Sequence, residues 1–208
     1  MMKTGRTMLA AVGATIVLPV LTSTAAIADP PPGGVTIEIA TVNGTGCRKG
    51  TAAVAFSEDL STLTITRSDM RADAGGAAGP TDDLKGCQVN LRVHVPQGHS
   101  YAIRSSEYSG TAHLEPGASG TVTALTYFQG QPDLRHMTQT LKGPFSHPWR
   151  VTFLDENPIY SPCGEQRNLN ISADVRVDLG TSDPSKPSHM TMDGKGIYHF
   201  AWKRCPAT

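Results

Sequence analysis

The chain lacks the short motifs that mark familiar catalytic centres. None of its seven histidines falls in a His-x-His or His-Glu-x-x-His pattern, and no Gly-x-Ser-x-Gly turn surrounds a serine. Surface positions are expected for these histidines, with His136, His147 and His189 in loops. No catalytic residue, metal ligand or cofactor is therefore predicted from motifs.

The chain also lacks an excess of charge of either sign. It has 18 Lys and Arg residues and 18 Asp and Glu residues, a formal net charge of zero. Without a basic patch, the phosphate neutralisation that drives nucleic-acid binding is not expected. Downstream of the N-terminal region, no apolar run approaches the roughly 18 residues that a membrane span needs, so no span is predicted in the mature chain.

The N-terminal region has the pattern of an export signal. Lys3 and Arg6 supply a short basic region, residues 8–20 are apolar, and residues 26–28 form the small-x-small site that signal peptidases cut. The sequence predicts a signal peptide at 1–28, a Pro/Gly leader at 29–34 and a secreted, monomeric domain at 35–208. An uncleaved anchor is the alternative, although Pro19 interrupts the apolar run.

Cysteines are few, and all four lie downstream of the predicted signal peptide (Cys47, Cys87, Cys163, Cys205). An exported protein folds in an oxidising compartment, so an even count predicts two disulfides. The absence of any Cys-x-x-Cys pair disfavours the alternative, a zinc site. Four cysteines allow three pairings, and sequence alone does not choose among them. We favour the pairing of neighbours along the chain, Cys47 with Cys87 and Cys163 with Cys205.

A 3.6-residue helical periodicity is almost absent, and alternation of apolar and polar residues dominates. Residues 35–39, 63–65 and 89–95 alternate as half-buried strands do. The longest alternating run is 169–179, whose odd positions are predicted to face a core and whose even positions face water. Further strands are predicted at 53–56, 101–106, 121–128, 138–141, 150–154 and 197–202.

Many short strands separated by Gly- and Pro-rich turns are typical of all-β domains. We predict a single antiparallel β-sandwich, jelly-roll or Ig-like, with two disulfides. A closed barrel is the alternative. Residues 115–120 are expected to form the loop of a hairpin, and a turn of helix is expected at most near Leu60 or residues 82–84.

A set of short sequence words, taken in order, resembles one known family. The words lie at residues 46–47, 80–83, 85–91, 96–98, 108–110, 127–130, 143–145, 161–164 and 202–205. Together they resemble the DUF4360 family of small exported proteins from bacteria and fungi, over roughly residues 39–205. The resemblance implies a compact all-β secreted domain and two disulfides, and it implies no catalytic residue.

Acidic loops provide the first candidate site. Asp82 and Asp83 are adjacent in a loop beside Cys87, and hard cations such as calcium require several oxygens close together. Turn and capping roles are the alternative for such residues. Asp155 and Glu156 form a second acidic loop, but glycosidic cleavage requires carboxyl groups that face each other across a substrate.

Aromatic side chains provide the second candidate site, although they make up only 6% of the chain. A flat ring on a sandwich surface can stack on a sugar. Trp149 and Tyr160 flank the second acidic loop and are the favoured ligand-binding aromatics. Core packing is the alternative, particularly for Phe153, Phe200 and Trp202.

The predicted function is that of an extracellular binding or cell-envelope interaction module, with a glycan or another exported protein as partner. A secreted glycan-active hydrolase that uses the loop carboxylates is the first alternative. A rigid inhibitor or effector protein is the second. Fold alone does not distinguish these classes, since β-sandwiches serve all of them.

Overall fold

Twelve β-strands make up the computed structural model, which describes residues 33–206 and contains no helix within that range. No helix long and apolar enough to cross a membrane occurs there either. The strands are β1 Thr36–Asn43, β2 Ala53–Phe56, β3 Thr62–Thr66, β4 Met70–Ala74, β5 Leu84–His94, β6 His99–Leu114, β7 Ser119–Phe128, β8 Leu134–Lys142, β9 Phe145–Leu154, β10 Leu169–Asp178, β11 Ser188–Met192 and β12 Lys195–Arg204.

The strands form two antiparallel sheets that pack into a sandwich, as predicted. The five-stranded sheet has the order β1-β5-β10-β7-β8. The seven-stranded sheet has the order β2-β3-β12-β6-β11-β4, and β9 pairs with β6. The sixteen-residue strand β6 pairs with β12 over its first half and with β11 near its end, while β9 occupies its other edge.

The core lies between the sheets, where the alternating strands bury one face each. On β10 the odd positions from Leu169 to Val177 are all 2% exposed or less, which confirms their predicted inward orientation. The even position Asn170 was predicted to face water, but it is only 5% exposed. An aromatic cluster fills one end of the core, as expected for Phe200 and Trp202.

The predicted hairpin at 115–120 is wrong. β6 belongs to the seven-stranded sheet and β7 to the five-stranded sheet, so this connection crosses between sheets. A turn-rich loop between two alternating segments has the same sequence pattern in a hairpin and in a crossing, because partner choice depends on distant strands.

Three histidines expected in loops lie instead in strands, with His136 in β8, His147 in β9 and His189 in β11. Strands β4 and β11, each five residues long, were not predicted. Neither predicted helical turn is present. Leu60 has a positive φ of 55° in a tight turn, which a helix excludes.

Both predicted disulfides form with the favoured pairing. Cys47–Cys87 joins the β1–β2 connection to β5, with a Cα–Cα distance of 5.3 Å. Cys163–Cys205 joins the segment before β10 to the residue after β12, with a Cα–Cα distance of 5.8 Å. The predicted signal peptide at 1–28 and residues 29–32 of the leader lie outside the described residues and stay predictions.

Loss of the second disulfide is expected to destabilise the end of the sandwich. The Cys163→Ser/Cys205→Ser variant opens a loop that the disulfide closes over a sequence separation of 42 residues. The loss of loop-closure entropy in the unfolded chain gives this disulfide a stabilising contribution of at most about 4 kcal/mol. Chemical denaturation should show a lower unfolding free energy. Hydrogen exchange should be faster at the end of β12, whereas the matched Cys47→Ser/Cys87→Ser variant should leave β12 protected. Equal protection of β12 in both variants would contradict this account.

Candidate functional site

A cleft of about 130 Å³ opens at one end of the sandwich. One wall is the end of β5 and its turn into β6, and the other is the segment that follows Tyr160. The walls meet over Tyr101 near the start of β6. The lining residues are Val93, His94, Val95, Pro96, Gln97, His99, Tyr101, Ser161, Pro162, Gly164, Glu165, Gln166 and Arg167.

Backbone hydrogen bonds fix the second wall against β6. The Ser161 amide donates to the Tyr101 carbonyl at 2.8 Å, and the Tyr101 amide donates to Ser161 Oγ at 3.2 Å. Ser100 Oγ donates to the Ser161 carbonyl at 2.6 Å. The Cys163–Cys205 disulfide then ties the same segment to the end of β12, and the Cys205 amide donates to the Gly98 carbonyl at 2.8 Å. Both walls are therefore held in place without a ligand.

Tyr101 is the unusual residue of this cleft. Its ring stacks on Phe200 with centroids 5.4 Å apart and meets the edge of Phe128 at the same distance. The side chain is 2% exposed, and its hydroxyl is buried with no hydrogen-bond partner among the described residues. Burial raises the pKa of this phenol well above its usual value, so it stays protonated. An unpaired buried hydroxyl normally costs about 1–3 kcal/mol.

The rim of the cleft is polar but carries balanced charge. Arg167 donates to Glu165 Oε2 from Nη2 at 2.6 Å and from Nε at 2.9 Å. His99 Nδ1 lies 3.3 Å from the Gln97 carbonyl, which accepts a hydrogen bond from that nitrogen in the tautomer with the proton on Nδ1. Arg167 and Glu165 neutralise each other's charge. The side-chain amides of Gln97 and Gln166 are uncharged, and they add hydrogen-bond donors and acceptors to the rim. This lining suits an uncharged, hydrogen-bonding ligand.

The two predicted ligand-binding aromatics lie far apart. Trp149 was expected in or beside a loop, but it lies within β9, is 7% exposed, and donates from Nε1 to the Thr191 carbonyl at 3.1 Å. Tyr160 is half-buried and directly precedes the cleft segment, with Lys203 Nζ 3.9 Å from its ring centroid. On β6, the partner of Trp149 is Gly110, and the partner of Ser161, next to Tyr160, is Tyr101. These two β6 residues are nine residues apart, about 30 Å along an extended strand. Only Tyr160 borders the end cleft.

The predicted acidic site consists of carboxylates with protein partners. Asp82 accepts from Lys85 Nζ at 3.0 Å and from the Gly79 amide at 3.0 Å, and these bonds lower the pKa of its carboxyl group. Asp83 lies 3.7 Å from Arg176. Among residues 33–206, no three His, Cys, Asp or Glu side chains form a group that could hold a metal ion. These contacts favour the turn-stabilising role for both residues.

In the second acidic loop, the carboxylate of Asp155 also has protein partners. Asp155 Oδ2 accepts from Arg135 Nε at 2.7 Å, and its Oδ1 accepts from the Asn157 amide at 3.0 Å. A general acid for glycosidic cleavage requires a raised pKa, which burial without a cationic partner supplies. Asp155 instead has a cationic partner, and the alternative of a hydrolase gains no support from this loop.

A hydrogen-bonded amide network on the outer face of the five-stranded sheet escaped the sequence analysis. Asn170 Oδ1 accepts from Asn90 Nδ2 at 2.8 Å and from Gln88 Nε2 at 3.1 Å. Asn168 donates to Asn90 Oδ1 at 2.7 Å, and Gln88 also donates to Tyr127 Oη at 3.1 Å. This network explains why Asn170 is buried at a position predicted to face water. Asn and Gln on neighbouring strands could have suggested it only if the strand register were known.

Asp174 lies on the same face, beyond the amide network. A Cβ added at Gly86 on the neighbouring strand would lie 1.9 Å from Asp174 Oδ1, so any other residue at position 86 would displace this carboxyl group. Burial raises the pKa of Asp174, and electrostatic interaction with Arg67 and His136 opposes that shift only in part.

The fold and the cleft define a class, a disulfide-bonded antiparallel β-sandwich with a preformed end cleft. The chain belongs to the DUF4360 family, whose description is a domain of unknown function, and the match covers residues 33–205. An uncharacterized secreted protein of Arthroderma benhamiae is 32% identical over 185 residues, covering 85% of this chain and 74% of the relative. The family resemblance and the secreted, extracellular localisation inferred from the sequence are thereby confirmed.

Solved structures show only distant likeness. The enzymatically active domain of tailspike protein 4 from bacteriophage CBA120 matches with 9% identity and a TM-score of 0.25, covering 83% of this chain and 20% of that one. The GH31 alpha-xylosidase of Xanthomonas citri matches with 8% identity and a TM-score of 0.19, covering 85% of this chain and 25% of that one. The chain thus spans a quarter or less of either protein, and these scores carry no argument about function.

Removal of the Tyr101 hydroxyl is expected to leave the fold intact. Tyr101→Phe keeps the ring packing and eliminates a buried group without a partner, so the unfolding free energy should match the wild type or exceed it by about 1 kcal/mol. The matched control is Tyr108→Phe. Tyr108 Oη donates to Tyr198 Oη at 3.3 Å, so its loss should lower the unfolding free energy by about 1 kcal/mol. A clearly lower unfolding free energy for Tyr101→Phe in chemical denaturation would show that the Tyr101 hydroxyl makes a stabilising hydrogen bond.

Asp174 is expected to reduce stability as pH rises. Its folded-state pKa lies above the unfolded value of 3.8, because burial disfavours the ionised carboxylate. The resulting destabilisation is absent below pH 3.8 and grows until the pH passes the folded-state pKa. Asp174→Asn should therefore match the wild type in acid and be more stable at neutral pH. Asp82→Asn is the control of opposite sign, since the pKa of Asp82 is lowered and its stabilisation is present above pH 3.8. Denaturation curves across this pH range check both signs, and equal pH profiles for Asp174→Asn and the wild type would contradict the prediction.

Proposed function

We propose that this secreted protein is an extracellular binding module whose end cleft takes an uncharged, hydroxyl-rich ligand such as a sugar unit of a glycan. The observation that carries the proposal is the Tyr101 hydroxyl, which is buried, has no hydrogen-bond partner among the described residues and belongs to a residue that lines the cleft. A ligand hydroxyl bonded to it would remove the cost of that unpaired group.

The surrounding residues favour a neutral ligand over a charged one. The Glu165–Arg167 pair satisfies both of its own charges, so neither is left to attract an ion. Apolar surface from Val93, Val95 and Pro162 and amides from the glutamines provide the mixed lining typical of small-molecule sites. A sugar presents the same combination of C–H faces and hydroxyl groups.

Tyr160 provides a neighbouring contact for a longer glycan. It directly precedes Ser161, and Lys203 covers one face of its ring at 3.9 Å. A chain that extends from the cleft would meet the remaining ring surface, which is the stacking role predicted for Tyr160. Trp149, Asp82 and Asp83 are left out of this proposed site because their side chains are engaged elsewhere.

Glycan binding should weaken when the Tyr101 hydroxyl is removed. The full-length secreted protein, purified from culture medium with both disulfides intact, is incubated with peptidoglycan, chitin and cellulose, and with soluble oligosaccharides in calorimetry. Tyr101→Phe should reduce the affinity for the bound glycan by about three- to tenfold, the value of one hydrogen bond. Tyr108→Phe, which removes a buried hydroxyl remote from the cleft, should bind as the wild type does.

Three results would overturn this proposal. Absence of binding to every glycan would exclude this ligand class and turn attention to exported protein partners. Binding that Tyr101→Phe leaves unchanged would move the site away from the cleft. Release of soluble sugar in the same tubes would identify a hydrolase.

A further inference from the structure

The two edges of the five-stranded sheet differ in how they are protected. At one edge, β1 has a register shift between Ile39 and Thr41 and carries the charged side chain of Glu38. At the other edge, β8 pairs with β7 over nine consecutive residues without a register shift. Within the described part of the chain, β8 has no second partner strand. Its outer row of backbone N–H and C=O groups is therefore available to another strand.

The remaining edge strands have features that block the addition of a further strand. β2 is only four residues long. β4 has five residues, and the Asp73 amide on it donates to the Asp82 carbonyl at 2.8 Å, so a loop covers this edge. β9 contains Pro148, which has no N–H to donate to a neighbouring strand. Proteins use such features to prevent association through sheet edges, and β8 has none of them.

The sequence of β8 suits pairing with a second copy of itself. Residues 136–141 include no Asp, Glu, Lys or Arg, and charge is confined to Arg135 and Lys142 near the two ends of the strand. Antiparallel pairing about a two-fold axis at Thr138 opposes no like charges, since each cationic side chain meets an uncharged leucine. The opposed pairs beside the axis are Leu134 with Lys142, Arg135 with Leu141, His136 with Thr140 and Met137 with Gln139.

We propose that two copies of this chain form a symmetric dimer in which their β8 strands pair antiparallel, so that the two five-stranded sheets become one sheet of ten strands. Main-chain hydrogen bonds supply the attraction, as in other cases of strand addition. Contacts of Thr138 with its copy across the axis add to it. The contact is isologous, so it closes after two copies and uses both available edges. This proposal departs from the monomer expected from the sequence, in which sheet edges are not visible.

The parts of the predicted mature chain outside the described residues are too short to cover the β8 edge themselves. Residues 29–32 precede β1, which lies at the opposite edge of the same sheet. Four residues span at most about 14 Å. β8 lies four strand spacings from β1, about 19 Å. Residues 207–208 are fewer than even a short strand requires. A second copy is thus the occupant that the structure favours.

Sedimentation equilibrium of the full-length secreted protein, with both disulfides intact, tests the dimer. The wild type should change from monomer to dimer as its concentration rises. Thr138→Lys places two ammonium groups opposite each other at the axis and should weaken the dimer by about tenfold or more. Thr41→Lys is the matched control, because Thr41 is also an exposed threonine on an edge strand of this sheet. It should leave dimerisation unchanged.

A charge exchange at Thr138 tests the position of the axis. Thr138→Glu should weaken the dimer as Thr138→Lys does, because two carboxylates then face each other. An equimolar mixture of the two variants should dimerise again, since lysine on one copy then faces glutamate on the other. A dimer that Thr138→Lys leaves intact, a mixture that does not associate, or equal weakening by Thr41→Lys would overturn the proposal.

Hydrogen exchange of the wild type decides the matter even if a variant folds poorly. A higher protein concentration should slow the exchange of β8 amides and leave the amides of β1 unchanged. A wild type that stays monomeric at every concentration, or equal slowing in both strands, would overturn the proposal. The dimer contact is independent of the glycan proposal, because the residues that line the end cleft lie outside β8, and Tyr101→Phe tests the cleft separately.

Discussion

Hydrogen bonding along both edges of β6 is the constraint on which the rest of the structure depends. One edge carries β12 and then β11, while the other carries Ser161 and then β9. Two ladders fix the direction of every side chain on this strand, because a shift by one residue would turn each of them to the opposite face. Tyr101 and His113 are twelve residues apart on it, about 40 Å, so the cleft and the contact of His113 with His189 lie at opposite ends.

Buried polar groups in this sandwich fall into two kinds. Tyr108 and Tyr198 satisfy each other, and the amide network around Asn170 is hydrogen-bonded across three strands. Within residues 33–206, Tyr101 and Arg67 each retain a buried atom without a partner, although Arg67 Nη2 lies 2.9 Å from Met192 Sδ. Unpaired groups cost stability unless a ligand completes them. This contrast explains why the cleft, rather than the flat amide face, carries the proposed glycan site.

Disulfides and ion pairs act at the periphery of the same framework. Cys163–Cys205 holds the cleft wall against the end of β12, so it supports the site as well as the fold. The carboxylates of Asp82, Asp83 and Asp155 are paired with Lys85, Arg176 and Arg135. The more exposed pairs at Asp82 and Asp83 contribute little stability each, and all three pairs remove these acids as free ligands.

The sequence by itself determined the sandwich class, the two disulfides and the long alternating strands such as β10. It also predicts the export signal. These features rest on patterns within a few residues or on the compartment. Only the tertiary structure decided that residues 115–120 cross between sheets, that Trp149 is buried in β9 and that His113 faces His189. Alternation fixes which side chains share a face, but the choice of neighbouring strand depends on packing between segments far apart in the chain.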